Sequence, residues 1–384
     1  MMSEFKTYLK TDLSRQIEIL KDKKVNLKNY IRKEILRKFI IYLAINAIYI
    51  LVTLSFMNGF LFFIWFVGNF FFIIIFSSKL FDTSGRMKSI RKVSINSKDD
   101  FYFEFPKITK NVDQKVNAYI LDCKKLLFKP IIELFVVNVE YLPQKFFKYE
   151  NVIESNLFPH LPLDINTYNK ENNNKKSSYS KFHFKGSDSV QGYLGDNYIE
   201  FCELDIGESY EISGAGENSG STYREIFHGL FLIADYKNIQ FKTILQSDFL
   251  GNLISGFDMS ILNLRNEIKL KKIKVQNFKF NKHFSVYGED DIEARKILSP
   301  VILENLGNFA EENNRAIKLS FINNQVFIAL GIGQIFEPDL RDILPLRKIN
   351  LDLIEKDAER IYNEISLVSD IIKDLRLNSN IQIK

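Results

Sequence analysis

The sequence predicts a membrane-anchored α+β protein: a two-helix transmembrane hairpin, then a cytoplasmic domain of antiparallel β-sheet with packed helices and a long C-terminal amphipathic helix. Three observations predict this fold. Residues 39–78 are forty consecutive positions without a charged side chain. Short runs that alternate apolar and polar residues dominate 181–249, as in antiparallel strands. From 351 to 375, apolar residues recur at steps of three and four, the spacing of one helical face.

The composition supports a folded protein with a large core. Of 384 residues, 46% are apolar and 14% are aromatic, which excludes disorder over the whole length. The net charge of +5 is unevenly distributed, because residues 1–38 carry eleven Lys or Arg against five acids and residues 77–98 carry six against one. The remainder is mildly acidic. The positive charge therefore flanks the apolar run, and nucleic acid is not a predicted partner.

The first predicted element, residues 1–38, is a basic amphipathic helix. Phe5, Leu9, Leu13, Ile17 and Leu20 fall on one side of it, and lysines and arginines occupy much of the rest. Two interpretations stay open. The helix either lies on anionic lipid or is a solvated helix that leads into the membrane.

The second predicted element is the transmembrane hairpin at 39–78. A hydrocarbon core of about 30 Å needs about 20 helical residues, so forty residues make two passes. Asn58-Gly59 interrupts the run near its middle, which predicts helices at 39–56 and 60–76. A hairpin buried in a protein core is the alternative. Against it, Phe60–Phe66 is apolar on every face, unlike a helix that is half exposed to water.

The basic flanks predict the orientation of this hairpin. Five Lys or Arg lie within eleven residues before the first helix, and five lie within fourteen residues after Ser78. By the positive-inside rule, both chain termini and the soluble domain are cytoplasmic, which predicts a multi-pass protein of the inner (plasma) membrane with the lipid bilayer as a partner. The uncharged run argues against an ion pump or proton relay.

Two α+β regions are predicted after the hairpin, at 99–250 and 251–384. In the first, Gly214–Gly220 superficially resembles a phosphate-binding loop, but Ser219 stands where a dinucleotide fingerprint needs glycine. We interpret this loop as a hairpin tip. The second region is predicted to contain a strand at 278–287, a helix at 291–312, two strands at 316–322 and 325–332, and a final helix at 351–377.

The final helix carries a heptad seam, which implies a partner surface. That partner is either the same helix in another copy or an element of the same chain. Additional apolar residues widen the face beyond a two-stranded coiled coil, which favours docking on the protein's own β core over self-association. The seam is also the candidate surface for self-association or for binding another protein. It consists of Leu351, Ile354, Ala358, Ile361, Ile365, Val368, Ile372 and Leu375.

Residues that could carry chemistry are scattered. The four histidines share no metal-ligand spacing, and the two cysteines are too few for a disulfide framework or a zinc site. These residues are His160, His183, His228, His283, Cys123 and Cys202.

An acidic cluster, Glu289, Asp290, Asp291 and Glu293, precedes and opens the predicted helix at 291–312. It either binds a cation or stabilises the helix start, where acids complement the helix dipole and Asp caps free amides. Capping is the favoured interpretation. The sequence therefore assigns no catalytic residue, no cofactor and no metal.

Short stretches of the soluble half carry a resemblance to a known family. They are Gly186–Gly192 with Ile199–Glu203, Ile226–Phe231 with Ala234–Asp235, and Phe284–Tyr287 with Asp291, Glu293–Arg295, Ile297–Pro300, Ser320–Phe321 and Phe336–Pro338. In these stretches the chain resembles a bacterial family catalogued as domain of unknown function 3137. The resemblance implies an N-terminal membrane hairpin joined to a cytoplasmic domain, and it implies no activity.

The predicted function is that of a membrane-tethered cytoplasmic interaction or assembly module without catalytic activity. No Gly-x-Ser-x-Gly elbow, Walker loop or kinase signature occurs in the sequence. One alternative is an envelope-associated enzyme whose site is assembled from dispersed acids and histidines, which a deep pocket joining His183 or His228 to a carboxylate would favour. Another is a lipid-sensing module, which requires a large apolar cavity within the β region.

Overall fold

A computed structural model describes residues 2–55, 110–173, 180–212, 220–236, 239–247, 270–313, 315–344 and 346–375. The chain divides into two compact units. The first comprises residues 1–127 and 338–357, and the second comprises 128–337 and 358–384. Each unit therefore combines segments that are distant in sequence.

The first unit is helical in its described N-terminal part. Helix α1 spans Met2–Thr11, α2 spans Ser14–Ser55 and α3 spans Lys110–Cys123. The predicted single helix at 1–38 is thus two helices, and the second continues well beyond residue 38. Apolar residues on one side of α2 are buried, Leu20 and Ile31 completely, and α3 packs against α2. This burial follows the periodicity of the sequence.

The predicted membrane hairpin is not found among the residues that the structure describes. No helix in the described part of the chain is long and apolar enough to cross a membrane. The charge-free part of α2 runs from Phe39 to Ser55, 17 residues, and rises about 25 Å, which is less than the ~30 Å of a hydrocarbon core. This finding overturns the membrane-anchored fold class and the multi-pass inner-membrane location. The second predicted helix, 60–76, lies outside the described residues.

A nine-stranded antiparallel sheet forms the centre of the second unit's described part. Its strand order is β1-β2-β3-β4-β9-β8-β5-β7-β6. The strands are β1 Val137–Leu142, β2 Ser180–Leu194, β3 Asn197–Ile212, β4 Gly220–Asp235, β5 Thr243–Ser247, β6 Lys271–Ile273, β7 Phe284–Gly288, β8 Ile317–Ile322 and β9 Gln325–Leu330.

The sheet confirms the antiparallel β region that the alternation of apolar and polar residues predicts for 181–249. The hairpin β8–β9 turns at Asn323-Asn324, where φ is 51° and 59°. Asparagine tolerates this left-handed conformation, which a two-residue hairpin turn requires. The glycine-rich loop predicted to be a hairpin tip falls almost entirely at 213–219, outside the described residues.

Helices connect and cover these strands. They are α4 Lys129–Ile132, α5 Tyr149–Glu154, α6 Ile165–Asn173, α7 Phe278–His283, α8 Asp291–Ile297, α9 Pro300–Asn313 and α10 Asp352–Asp374. Two predictions need correction here. The predicted strand 278–287 starts as a helix, because the Asn277 side chain accepts a hydrogen bond from the Phe280 amide at 2.9 Å. The predicted helix 291–312 is divided before Pro300, since proline disfavours helical geometry in the residue preceding it.

Both faces of the sheet are covered. On one face an apolar cluster joins Phe231 and Phe327 of the sheet to Leu157, Phe158 and other residues of 147–161. On the other face, Val368 and Ile371 of α10 approach Leu230, Leu232, Ile328 and Leu330. Residues on the two faces alternate along β4 and β9, as the pleat of a strand requires.

Candidate functional site

The largest group of exposed apolar side chains in the described helices lies on the C-terminal half of α2. We call it the apolar segment of α2. Between 42% and 65% of each of these side chains is accessible to solvent, on several sides of the helix. Its members are Leu36, Phe39, Ile40, Ile41, Leu43, Ile45, Ile48 and Leu51. Clusters of large exposed apolar side chains often mark interaction sites.

Basic side chains border the N-terminal end of this segment. Arg32, Lys33, Arg37 and Lys38 are exposed, and Arg37 pairs with Glu34 of the preceding turn at 3.0 Å. An open concavity of about 350 Å³ lies against Arg32, Lys33 and neighbouring residues. The arrangement places positive charge next to an apolar helix, which suits an acidic and apolar ligand.

A buried lysine fixes the N-terminal half of α2. Lys24 is only 1% exposed, and its Nζ lies 3.0 Å from Oδ1 of Asp342, itself buried. The same amine donates to the carbonyl oxygens of Asp339 at 3.2 Å and Asn350 at 3.4 Å. The other carboxylate oxygen of Asp342 accepts from the Asn350 amide at 2.7 Å. Segment 338–350 is thereby held against the helix.

One turn further on, Lys28 extends this attachment. Its amine donates to the carbonyl oxygen of Asp342 at 2.8 Å and to that of Arg347. Burial lowers the pKa of Lys28, although the charge of Asp342 partly offsets the effect. Two successive turns of α2 therefore bind the same segment, so the apolar segment extends from a firmly held base.

The structure brings two of the four histidines into one cluster on strands β2 to β4. His228 Nδ1 lies 3.8 Å from Asp205, and the Tyr223 hydroxyl donates to the same carboxylate at 3.3 Å. His183 lies beside the Tyr223 ring and bonds Ser209 at 2.9 Å. Burial acts to raise the pKa of Asp205, but His228 and Tyr223 outweigh it and lower this pKa overall.

Packing explains much of this histidine cluster. The Tyr223 ring lies over Gly207, where an added Cβ would approach the phenol oxygen to 1.9 Å. The cluster therefore depends on a glycine that leaves room for the ring. A His–Asp distance of 3.8 Å is too long for a hydrogen bond, and the cavities beside α10 and α2 are lined by other residues. The remaining histidines, His160 and His283, do not join the cluster.

The acidic cluster caps a helix. Asp290 accepts a hydrogen bond from the Glu293 amide at 2.7 Å and is the N-cap of α8. Glu293 itself accepts from the Phe241 amide at 2.9 Å, whereas Asp291 forms an exposed pair with Arg295 at 2.8 Å. The capping interpretation is confirmed, with Asp290 as the cap. Within the described residues, no three His, Cys, Asp or Glu side chains are placed to hold a metal ion.

Two buried carboxylates were not predicted from the sequence. The Tyr141 hydroxyl donates to the fully buried Asp188, and the buried Glu203 accepts from the Ile335 amide at 2.7 Å. Burial and the charge of Asp188 raise the pKa of Tyr141. The sequence did show an acid inside each of two predicted strands, which could have suggested that these carboxylates are buried. Asp188 occupies a bulge with a φ of 60°, and alternation alone does not reveal a bulge.

Seven of the eight heptad-seam residues are buried in the single chain, and Leu351 is half-buried. Intramolecular packing therefore accounts for the seam without a second copy. A cavity of only about 10 Å³ lies between α10 and the apolar side chains of β4 and β9. It has room for one water at most, so it is not the large apolar cavity that a lipid-sensing module requires.

One family model matches part of the chain. Residues 225–377 match the family described as "Protein of unknown function (DUF3137)". The match confirms the resemblance inferred from the short sequence stretches, and it runs from β4 through α10. The stretches from Ile226 to Pro338 lie within it, whereas Gly186–Glu203 lies before it. No curated protein and no solved structure matches this chain.

Proposed function

We propose that this protein is a non-catalytic interaction module and that the apolar segment of α2 binds a partner protein. The partner we infer presents an apolar helix or groove with acidic residues at one end. The observation that carries the proposal is the exposure of eight large apolar side chains along one half of α2.

The area of this surface fits a protein interface. One partner of a standard interface contributes about 800 Å² of surface, and eight large apolar side chains exposed along one helix can supply a substantial part of it. By contrast, apolar side chains on one side of the other half of α2, such as Leu20 and Ile31, are fully buried. The difference within one helix supports a dedicated binding surface.

Charge indicates the chemistry of the partner. Arg32, Lys33, Arg37 and Lys38 lie at one end of the apolar segment, and Glu34 is the only acid among residues 28–51. An amphipathic partner helix with acids at the corresponding end would complement both features. Such charges accelerate association and set the orientation of the bound helix.

A peptide titration tests the proposal. The probe is a fluorescent 20-residue amphipathic helix with a leucine face and glutamates at one end, added to the full chain and followed by anisotropy. We expect binding that weakens with salt and falls at least about tenfold when Ile45 and Ile48 are both replaced by Asp. Arg32→Glu with Lys33→Glu should also weaken it, mainly through slower association.

Matched controls make this test decisive. Leu346 is 82% exposed but lies outside α2, so Leu346→Asp should leave peptide affinity unchanged. Equal binding of a scrambled peptide would overturn the proposal. So would a concentration-dependent oligomer that Ile45→Asp with Ile48→Asp abolishes, because the occupant would then be a second copy. Stronger partition into neutral lipid vesicles than onto the peptide would likewise contradict it.

An enzyme is the second candidate, favoured by the approach of His228 and Tyr223 to Asp205. A histidine near a carboxylate is a common arrangement in proton transfer, although this pair would first have to close from 3.8 Å to hydrogen-bond distance. A general screen of ester and phosphoester hydrolysis by the full chain addresses it, with Asp205→Asn as the matched variant. Turnover that persists in Asp205→Asn would exclude this cluster as its source.

A further inference from the structure

Three long strands extend past their neighbours in the sheet. Strands β2, β3 and β4 have 15 or 16 residues each, whereas β9 has six and pairs with β4 only over 230–235. Beyond β9, the Gly333 amide donates to the His228 carbonyl oxygen at 3.4 Å. Among the described strands, β3 alone pairs with residues 220–225 of β4. We call residues 220–225 the open run of β4.

Three other edges of the described sheet are obstructed. On β2, the Asn169 side chain of α6 accepts from the Phe182 amide and donates to the Phe182 carbonyl oxygen, both at 2.9 Å, where another strand would otherwise pair. Strand β1 is interrupted by a bulge and by Asn138, whose φ is 55°. Strand β6 has only three residues, of which Lys271 and Lys272 are exposed. Short strands, bulges and lysines are devices that prevent a further strand from adding to an edge.

The open run of β4 is regular by comparison. It pairs residue by residue with β3, from Gly220 opposite Ile212 to Glu225 opposite Gly207, and the bulge at Ile226 follows its last residue. Backbone groups of a strand alternate between its two sides, so about half of the amides and carbonyls of this run point away from β3. Such a row of hydrogen-bonding groups is a template for another extended backbone.

The side chain of Arg224 determines the chemistry of one position along this run. Its Nη2 donates to the buried Glu208 carboxylate at 2.8 Å, and its guanidinium lies 5.7 Å from the centroid of the Tyr210 ring. These contacts fix the guanidinium, yet 47% of the side chain remains exposed. A guanidinium has five donors, so Arg224 can bind a second carboxylate beside Glu208. An added strand therefore gains an opposite-charge pair if it places an acid opposite Arg224.

We propose that the open run of β4 binds an extended peptide of a partner protein, which adds to the sheet as a further strand and places an acidic side chain opposite Arg224. Backbone hydrogen bonds supply the affinity, and the acid sets the register. This surface is separate from the apolar segment of α2. A second copy fits less well, because two copies related by a two-fold axis at Arg224 would place two guanidinium groups opposite each other.

The test adds a fluorescent ten-residue peptide of alternating threonine and valine, with one central glutamate, to the full chain. We expect saturable binding by anisotropy and slower hydrogen exchange at 220–225 when the peptide is present. Two further probes carry N-methyl groups on even or on odd residues. Only one of them should lose affinity, by at least about tenfold, because a strand presents alternate amides to one neighbour.

Three outcomes would overturn the proposal. Equal affinities of the two methylated probes would show that the peptide does not pair as a strand. Slow exchange of every amide of 220–225 in the free chain would show that the edge is already covered. A concentration-dependent dimer that the peptide dissociates would identify a second copy as the occupant.

A charge variant tests the register. The parent chain should bind the glutamate probe about two- to fivefold more tightly than a glutamine probe, and Arg224→Gln, which keeps a donor for Glu208, should abolish this preference. Arg295→Gln is the matched control, because Arg295 is exposed and pairs with Asp291 in α8, and it should retain the preference. If Arg224→Gln does not fold, the methylated probes on the parent chain still decide the matter. A preference that persists in folded Arg224→Gln would contradict the acid opposite Arg224.

Discussion

Two lysines, one in each unit, illustrate opposite solutions to burying a charge. Lys24 in α2 is 1% exposed and meets Asp342 and two carbonyl oxygens. Lys318 in β8 meets an aromatic ring, with no acid beside it among the described residues. The first lysine is stabilised as an ammonium by its partners. The second can most easily avoid the cost of desolvation by losing its proton.

This difference separates a lysine whose charge is paired from one without an acidic partner among the described residues. Removing a charge from a paired site leaves the partner buried and unpaired, whereas removing a charge from an unpaired site relieves a cost. Stability should therefore respond in opposite directions when the two lysines are replaced.

Lys24→Ala should have the largest effect. The change leaves Asp342 buried without its cation, and breaking one partner of a buried pair costs about 3–5 kcal/mol of unfolding free energy. Urea unfolding of the full chain, followed by the fluorescence of a probe in residues 338–350, measures the loss.

Lys23→Ala is the matched control for this prediction. Lys23 also forms an ion pair, with Asp122 at 2.7 Å, but its side chain is 44% exposed. An exposed pair contributes about 0–1 kcal/mol. Comparable losses of unfolding free energy in the two variants would show that burial does not make the Lys24–Asp342 pair more stabilising than an exposed pair.

Lys318→Met should stabilise the second unit at neutral pH. The pKa of Lys318 is about 8 in the folded chain and near 10.5 when unfolded, so folding at pH 7 holds an ammonium where it is disfavoured. Methionine has similar length and no charge. The expected gain is up to about 3 kcal/mol at pH 7, from a pKa difference of roughly 2.5.

The pH dependence of this gain has a definite sign. Below pH 8 both states hold the proton and the penalty is complete. Between pH 8 and 10.5 the unfolded chain binds more protons than the folded chain, so parent stability rises with pH relative to the variant. Near pH 10.5 the advantage of Lys318→Met should disappear. A pH-independent difference between parent and variant would refute the desolvation of Lys318.

Sequence patterns predicted the sheet more completely than the sites. Alternation located much of β2 to β4, and Asn323-Asn324 fixed the β8–β9 turn, because both depend on local chemistry. The sequence also contained the signal for the break between α8 and α9, because Pro300 lies inside the predicted helix 291–312. The start of α7 depends on one Asn277 hydrogen bond within a run that alternates like a strand, so periodicity gave the wrong element.

The candidate sites depend on contacts between distant segments. Lys24 and Asp342 are more than 300 residues apart, and Lys24 stands among other lysines with no feature that marks it for burial. Lys318 lies at one position of an alternating strand, where a polar residue normally faces water. The apolar character of α2 beyond Phe39 was evident in the sequence. Its exposure in the folded chain was not.

The smallest predicted effect extends the same contrast to two neighbouring carboxylates. Asp290 accepts from the Glu293 amide as the cap of α8, whereas Asp291 is exposed and pairs with Arg295. Asp290→Ala should cost about 0.5–2 kcal/mol, because a helix amide loses its acceptor. Asp291→Ala removes a surface pair and should cost about 0.5 kcal/mol or less. Thermal unfolding of both variants measures the difference, and equal shifts would mean that net acidity at the helix start, not the Asp290 hydrogen bond, stabilises α8.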